Sequence, residues 1–521
     1  MSGPMELEGF DSWYEGQEEI FSEMIEWYYG PKRFCGASIP TGSGKSVLAM
    51  ALAKAIGGRG VLLTATKGLQ DQMMKDFSKS GLVNVKGMSN YRCLVVEDTV
   101  DNGPCHDLTL EEPYICGHKV PQGSIPPRCP YYFAREVARE SDLVTTNYAY
   151  YMALTNFSSG FGKVDLLIMD EGHQVFQTFE SYLTSSIPIT VLPDTVKPFP
   201  IGETWAHVQA WSVLAREEMF NLVTYLVGML GHTRPGAERD MLSKRLDKAR
   251  GYHGVLDYMA GSSDKWAMEV SKTHLKVTPL WPQEHANRLI YKEIPKVMIM
   301  SAVLTKKTMN LLGVEDDQME FIESGSTYNP LNTRIRHIYT TRLTHKTTPA
   351  EALKVAKRVD EIVAMHPDKK GIVFTVSYGR RDYLMKHCDT RRFLTHDTGT
   401  TTSQVAKFRA TSEGVLVSPT VTTGWDFPGS DCEFIVIVKI PFMDTRSPVV
   451  SERNKEDKEW LAFEAMQTLI QSAGRGTRSK EDTCNIYILD DNWGWFWKKY
   501  RSFAPEWFAD RVRGSFTSLP A

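Results

Sequence analysis

The chain has no run of 18 or more apolar residues, too little to carry a helix across a hydrocarbon layer of roughly 30 Å, so no membrane partner is expected. It lacks an excess of either charge. Sixty Lys and Arg stand against 63 Asp and Glu, a net charge of −3. Contact with a polyanion would therefore need a local basic groove rather than bulk attraction. The opening residues, Met1-Ser2-Gly3-Pro4-Met5-Glu6, have neither the basic stretch nor the apolar core of a secretion signal, and a cytoplasmic location is expected. Cysteine pairs two residues apart, usual in structural zinc sites, are missing. In a reducing compartment the eight cysteines do not read as a disulfide framework. No carboxylate and histidine cluster stands outside the motifs below, which disfavours a nuclease.

What is present begins with size. At 521 residues the chain exceeds a single core, and its 42% hydrophobic and 24% charged content fits two or more globular domains. Near the start, Ile39-Pro40-Thr41-Gly42-Ser43-Gly44-Lys45-Ser46 opens an Ala- and Leu-rich run from Val47 to Ile56 that reads as a helix. Glycines ahead of a helix let backbone N–H groups surround a phosphate chain. Lys45 would reach the β- and γ-phosphates, and the Ser46 hydroxyl would hold Mg²⁺. The generic P-loop pattern asks for Gly where Ile39 stands. A buried strand, Val61–Thr66, and a helix over 67–77 follow, the beginning of a parallel α/β sheet.

Residues 88–131 break this rhythm. Cys93, Cys105, Cys116 and Cys129, separated by eleven, ten and twelve residues, lie in a Gly- and Pro-rich stretch without a long periodic segment. Such a stretch would depend on a ligand to stay folded. Four thiolates at loose spacing can hold an iron–sulfur cluster, but spacing alone leaves the metal open, and His106 or His118 could replace a thiol. Farther on, the buried strand Val164–Met169 ends in Asp170-Glu171-Gly172-His173. In a P-loop protein, Asp170 there would hold Mg²⁺ through water and Glu171 would deprotonate the attacking water. From Thr204 to Leu230, apolar residues recur at helical spacing. A turn over 231–236 and a basic helix with Lys244, Arg245, Lys248 and Arg250 complete an expected helical hairpin. A second α/β set, with strands at 371–377, 414–418, 433–440 and 485–490, fills the C-terminal part. Arg475 and Arg478 lie three apart, so on a helical turn both guanidinium groups can face one phosphate chain as arginine fingers.

Taken together, these residues resemble the superfamily 2 helicases, and within them the iron–sulfur XPD/DinG branch. Gln17 resembles the adenine-reading glutamine, Pro40–Ser46 the helicase P-loop and Thr64–Gln72 the motif that contacts the DNA backbone. Asp170-Glu171-Gly172-His173 is similar to the DEAH box, with Gly172 for Ala. Ser301-Ala302-Val303 is similar to Ser-Ala-Thr, and Val303 is expected to weaken its hydroxyl link between ATP and strand. Thr423–Gly429 resembles motif V, and Gln471-Ser472-Ala473-Gly474-Arg475-Gly476-Thr477-Arg478 matches motif VI.

The resemblance implies an α/β fold of two RecA-like domains. Residues 1–88, 132–175 and 274–305 would form the first and 306–521 the second, with a four-cysteine insert at 89–131 and a helical Arch-like insert at 176–273. It further implies ATP on Gln17, Thr41, Gly42, Ser43, Gly44, Lys45, Ser46, Gly424, Asp426 and Gln471, and catalysis by Lys45, Asp170, Glu171, His173, Arg475 and Arg478. Mg²⁺ would lie on Ser46 and Asp170, and a [4Fe–4S] cluster on Cys93, Cys105, Cys116 and Cys129. The expected activity is 5′→3′ unwinding by a monomer on single-stranded and forked or tailed DNA. The alternative is a DNA-dependent translocase that remodels nucleoprotein complexes. Tyr91, Arg92 and Tyr132, near the thiols, are candidates for strand contact.

Overall fold

The computed structural model describes residues 7–106, 116–119, 127–157, 160–197, 199–200, 204–234, 236–325, 329–397, 399–419, 427, 429–477 and 481–519. Two seven-stranded sheets organise it, and every pairing in both is parallel. In space the first runs Met319–Glu323, Phe34–Ser38, Lys296–Ser301, Leu166–Met169, Gly60–Thr64, Leu143–Asn147, Val83–Asn84. Strands Phe34–Ser38, Gly60–Thr64 and Leu166–Met169 are buried end to end. Near-continuous apolar runs are what a parallel sheet covered on both faces requires.

Side chains alternate between the two faces of a strand. Leu62, Ile168, Met298 and Met300 accordingly pack with Met24, Trp27 and the P-loop helix Lys45–Ala55. Leu63, Leu167, Val297 and Ile299 pack on the other side with Tyr148, Phe176 and Tyr291. The second sheet, Phe393–Thr395, Val415–Ser418, Gly371–Phe374, Phe434–Ile437, Asn485–Asp490, Ile335–Thr341, Val512–Phe516, repeats the arrangement. Ile372, Ile435 and Ile486 serve one face, and Val373, Val436 and Tyr487 the other. The two-lobe α/β expectation is borne out.

Between strands Leu166–Met169 and Lys296–Ser301 the chain leaves the first lobe. Helices Trp205–His232 and Ala237–Gly261 form the expected hairpin. The insert is not wholly helical, however. The hairpin packs on an antiparallel sheet of Ser185–Pro188, His274–Pro279 and Trp266–Val270, whose middle strand lies beyond the expected boundary at 273. Ile187, Trp266, Met268, Leu275 and Val277 point under the helices. Each strand is too short for its alternation to stand out in sequence. No helix among the described residues is long and apolar enough to cross a membrane.

The lobes share core. Val450, Trp460 and Phe463 of the second belong to the first lobe's apolar cluster, and Val303 of the first joins the second's. Arg453, on helix Pro448–Glu456, is 1% exposed. Its guanidinium pairs with Glu180, donates to the carbonyls of Leu280 (2.6 Å) and Pro279 (3.3 Å), and lies over the rings of Phe176 (4.9 Å) and Trp460 (5.2 Å). A charge buried this deeply depends on its partner. Arg453→Met is expected to lower stability by about 3 kcal/mol, read as a drop in Tm, because Glu180 and two carbonyls lose their donor. A Tm equal to wild type would show that this contact does not hold the lobes.

Candidate active site

Strand Phe34–Ser38 runs into Ile39, which is fully buried and donates its N–H to the Ser301 carbonyl at 3.1 Å. Position 39 therefore extends a strand, which explains an isoleucine where the generic pattern has glycine. Gly42 (φ 77°) and Gly44 (φ 74°) occupy the left-handed region that L side chains avoid. A Cβ on Gly44 would also lie 2.2 Å from Gln17 Nε2. Gly44 caps helix Lys45–Ala55, whose free N–H groups and dipole face the cleft between the lobes. Lys45 Nζ approaches the Pro40 carbonyl at 3.5 Å. Gln17, 3% exposed, is pinned to the loop. Its Oε1 accepts from Tyr14 N–H and its Nε2 donates to the Ser43 carbonyl, both at 2.8 Å. An adenine would meet only the second lone pair and the second amide hydrogen.

Strand Leu166–Met169 delivers the two carboxylates. Asp170 accepts from Glu171 N–H at 2.9 Å. Burial, and then the Glu171 charge, push the Asp170 carboxyl up to about 6, against the pull of Lys45. Glu171 sits at φ 53°, rare for a residue with a side chain, and this turns its carboxylate into the cleft. His173 Nδ1 lies 2.7 Å from Ser301 Oγ and 3.4 Å from Glu171 Oε2. Burial lowers its pKa, and the charges of Arg475 and Lys45 also disfavour imidazolium. Ser301 Oγ accepts from Val303 N–H at 3.2 Å as well. Ser301 Oγ thus joins the His173 ring to the Val303 backbone at this turn, while the Val303 side chain is spent on lobe packing.

The second lobe closes the cleft. Helix Trp460–Ala473 ends in the turn Gly474–Gly476, which carries Arg475. Gly476 admits no side chain, since a Cβ there would lie 2.5 Å from Cys484 Sγ and 2.8 Å from the Cys432 carbonyl. Thr41 Oγ1 donates to the Thr477 carbonyl at 3.5 Å, joining P-loop to motif VI. A cavity of about 320 Å³ results, with Thr41, Lys45 and Glu171 on one wall and Gln471 and Arg475 on the other. Gly424, Asp426 and Arg478 lie outside the described residues. Two further residues support the site, and nothing in the sequence marks them. Trp507 Nε1 donates to the Ala302 carbonyl at 3.0 Å, and the buried Tyr148 hydroxyl donates to the Asp170 carbonyl.

The four thiols gather from separate points of the chain. A Cβ on Gly103 would lie 3.2 Å from Cys93 Sγ and 3.8 Å from Cys105 Sγ, so both flank one small volume. Burial, then Cys116, and more weakly Cys129 push the Cys105 thiol up. Cys129 packs with Cys93 around Val100 and Tyr131. Val95 N–H donates to Cys93 Sγ at 3.4 Å, as it would to a thiolate. Among the described residues no three His, Cys, Asp or Glu side chains are grouped closely enough to hold a metal ion. The thiols converge without closing to ligand distance. His118 contributes its carbonyl, accepting from Cys129 N–H at 2.9 Å, and the His106 side chain lies outside the description. Tyr91 and Tyr132 pack edge-on against Tyr131, whereas Arg92 is exposed.

Gly172 explains itself. A Cβ there would lie 2.3 Å from Ile299 Cγ2 and 3.4 Å from the Met300 carbonyl. Gly172→Ala is expected to cost about 1–3 kcal/mol and to displace Glu171, reducing ATP hydrolysis. Adding Ile299→Ala opens the space and should restore hydrolysis, measured by phosphate release on the single and double variants.

Family models match both lobes: the type III restriction enzyme res subunit over residues 11–190 and the helicase C-terminal domain over 359–511. No curated protein matches the chain in sequence. Among solved structures, one titled XPD helicase is 16% identical with a TM-score of 0.63, covering 96% of this chain and 98% of that one. The S. tokodaii Xpd4 structure is 12% identical with a TM-score of 0.60, over 96% and 100%. A third, titled XPD apo, is 14% identical with a TM-score of 0.58, over 96% and 100%. At such identities the structures speak for fold, and the helicase domain model speaks for class. With that domain on the second lobe and a P-loop and paired carboxylates on the first, the chain is an ATP-dependent helicase, and its fold is similar to that of the XPD structures.

Proposed function

We propose that this helicase moves 5′→3′ along single-stranded DNA and separates the duplex ahead of it on forked or tailed substrates, as a cytoplasmic monomer. The observation that carries the reading is the two-sided cavity, with Lys45 and Glu171 from one lobe opposite Arg475 from the other. Hydrolysis in such a site requires closure and permits opening afterwards, which moves two lobes along a strand.

Thr41, Gly42, Ser43 and Gly44 offer backbone to the phosphates, and Lys45 neutralises the β- and γ-oxygens. Glu171, aimed into the cleft by its left-handed backbone, orients water and takes its proton. Arg475, with Arg478, meets charge developing on the γ-phosphate. Gln17 borders the base, and Gly424, Asp426 and Gln471 line the nucleotide from the second lobe. His173 passes the state of this site to Ser301. Ser46 and Asp170 would hold Mg²⁺, which supplies charge neutralisation between the phosphates.

Cys93, Cys105, Cys116 and Cys129 would hold a [4Fe–4S] cluster, which supplies a covalent staple for a segment of 89–131 with little core of its own. The shared volume beside Gly103 and the N–H donated to Cys93 Sγ support that donor set. The first motor domain then reaches past 305 to take in strand Met319–Glu323, the Arch-like insert reaches past 273 to take in His274–Pro279, and the second motor domain begins with strand Ile335–Thr341.

Unwinding of duplexes with a 5′ or a 3′ tail tests the direction. Displacement only from the 5′-tailed duplex is expected, and DNA-stimulated hydrolysis without displacement would leave a translocase. Lys45→Ala is expected to abolish hydrolysis at unchanged Tm, and a matching loss of stability would count against its catalytic role. Anaerobically purified protein should carry about four irons per chain. Zinc without iron would refute the cluster.

A further inference from the structure

Behind His173 and Gln471, on the side away from the P-loop, lies a second cavity of about 580 Å³ between the lobes. Gln177 and Leu311 of the first lobe face Phe374, Lys439, Phe463 and Gln467 of the second across it. His173 and Gln471 border this cavity and the nucleotide cavity alike. Its volume falls within the range of small-molecule sites.

Gln467 is the anomaly. It is 6% exposed, and neither its Oε1 nor its Nε2 meets a hydrogen-bond partner among the described residues. Its helix neighbours are satisfied: Glu464 accepts from Gln177 Nε2 at 3.2 Å, and Thr468 donates to the Glu464 carbonyl at 2.9 Å. A buried primary amide with both ends unmet is costly, and a leucine would fill the same space without that cost. The pattern suits a group that is met only when something enters. Lys439 lines the cavity near a second cation, Arg380, with Asp490 opposing that charge, and so sets a cationic group at the cavity wall.

We propose that this cavity receives one unpaired base of the nucleic-acid strand, with the base edge on the Gln467 amide, the ring against Phe374 and Phe463, and the adjoining phosphate toward Lys439. The proposal rests on the strand-tracking function given above. A glutamine amide offers a donor and an acceptor in one plane, the complement of an adenine edge. Apolar walls provide the contact a flat ring needs, and such contact tolerates every base. Because His173 and Gln471 belong to both cavities, a base seated here would be felt at the nucleotide, and the lobe movement after hydrolysis would expel it.

The test compares binding of an oligo(dA) strand with that of a fully abasic strand of equal length, for wild type and Gln467→Leu, by fluorescence anisotropy. Wild type is expected to bind oligo(dA) roughly tenfold more tightly than Gln467→Leu does, with the abasic strand bound equally by both. Gln467→Leu should melt at or above the wild-type temperature, since it removes an unmet amide. Equal oligo(dA) binding by the two proteins, or a loss shared by the abasic strand, would overturn the base pocket and leave a water-filled cleft, with the tracking function standing. A lower melting temperature would show that the amide is already satisfied and would overturn it too. Failure of wild type to bind either strand would defeat the tracking function itself.

Discussion

Parallel strands end with backbone groups that the sheet no longer pairs, and Ser301 meets that need where three strand ends come together. Its carbonyl accepts from Ile39, its hydroxyl accepts from Val303 N–H, and the same hydroxyl meets His173. P-loop, carboxylate turn and third motif are thereby locked to one residue, through its carbonyl and its hydroxyl, and that residue is itself fully buried. The strained backbone of Glu171 depends on this lock, since a residue held at positive φ needs surroundings that leave it no alternative. Gly172 belongs to the same constraint, because Ile299 of the neighbouring strand already occupies the space of its missing side chain.

Catalysis needs the opposite of a lock between the lobes, and the interface reflects that. Toward the nucleotide the described contacts between the lobes include Thr41 to the Thr477 carbonyl and Trp507 to the Ala302 carbonyl, beside Val303 packed into the second lobe's core. Away from it, Arg453 and a ring-lined cluster join helix Pro448–Glu456 to the first lobe and to the base of the insert. One edge is built to stay and the other to work, which is the geometry of a hinge. The thiol-bearing segment obeys a different rule. Among its described residues the apolar cluster is Val100, Cys129 and Tyr131 with a few half-buried neighbours. A segment so poor in core needs either a metal or the aromatic contacts that Tyr91, Tyr131 and Tyr132 make with one another.

Much was legible in the chain before any fold was known. Strands at Gly60–Thr64 and Leu166–Met169 announce themselves as apolar runs, and the P-loop, the Asp170–Glu171 pair and Arg475 have spacings that chemistry constrains. Less legible were residues whose role is to hold others. Trp507 and Tyr148 act through one hydrogen bond each to a backbone carbonyl of another element, 205 residues away for Trp507 and 22 for Tyr148, and no local pattern encodes that. The strands Ser185–Pro188, Trp266–Val270 and His274–Pro279 were hidden because each is too short for a clear period, and the first finds its partner only across the whole helical hairpin.

The sequence by itself determined the chemistry: a phosphate-binding loop, two carboxylates at a strand end, arginines in the far half, and four thiols in a weak segment. Those follow from residue type and short spacing, which survive without tertiary information. Only the tertiary structure decided which groups face one another. It tied Ser301 to His173, turned Val303 into lobe packing, pinned Gln17 to the P-loop, and left the Gln467 amide without a partner among the described residues beside a cavity. These depend on packing between elements that are not neighbours along the chain, where burial and free volume, not local propensity, choose the partner.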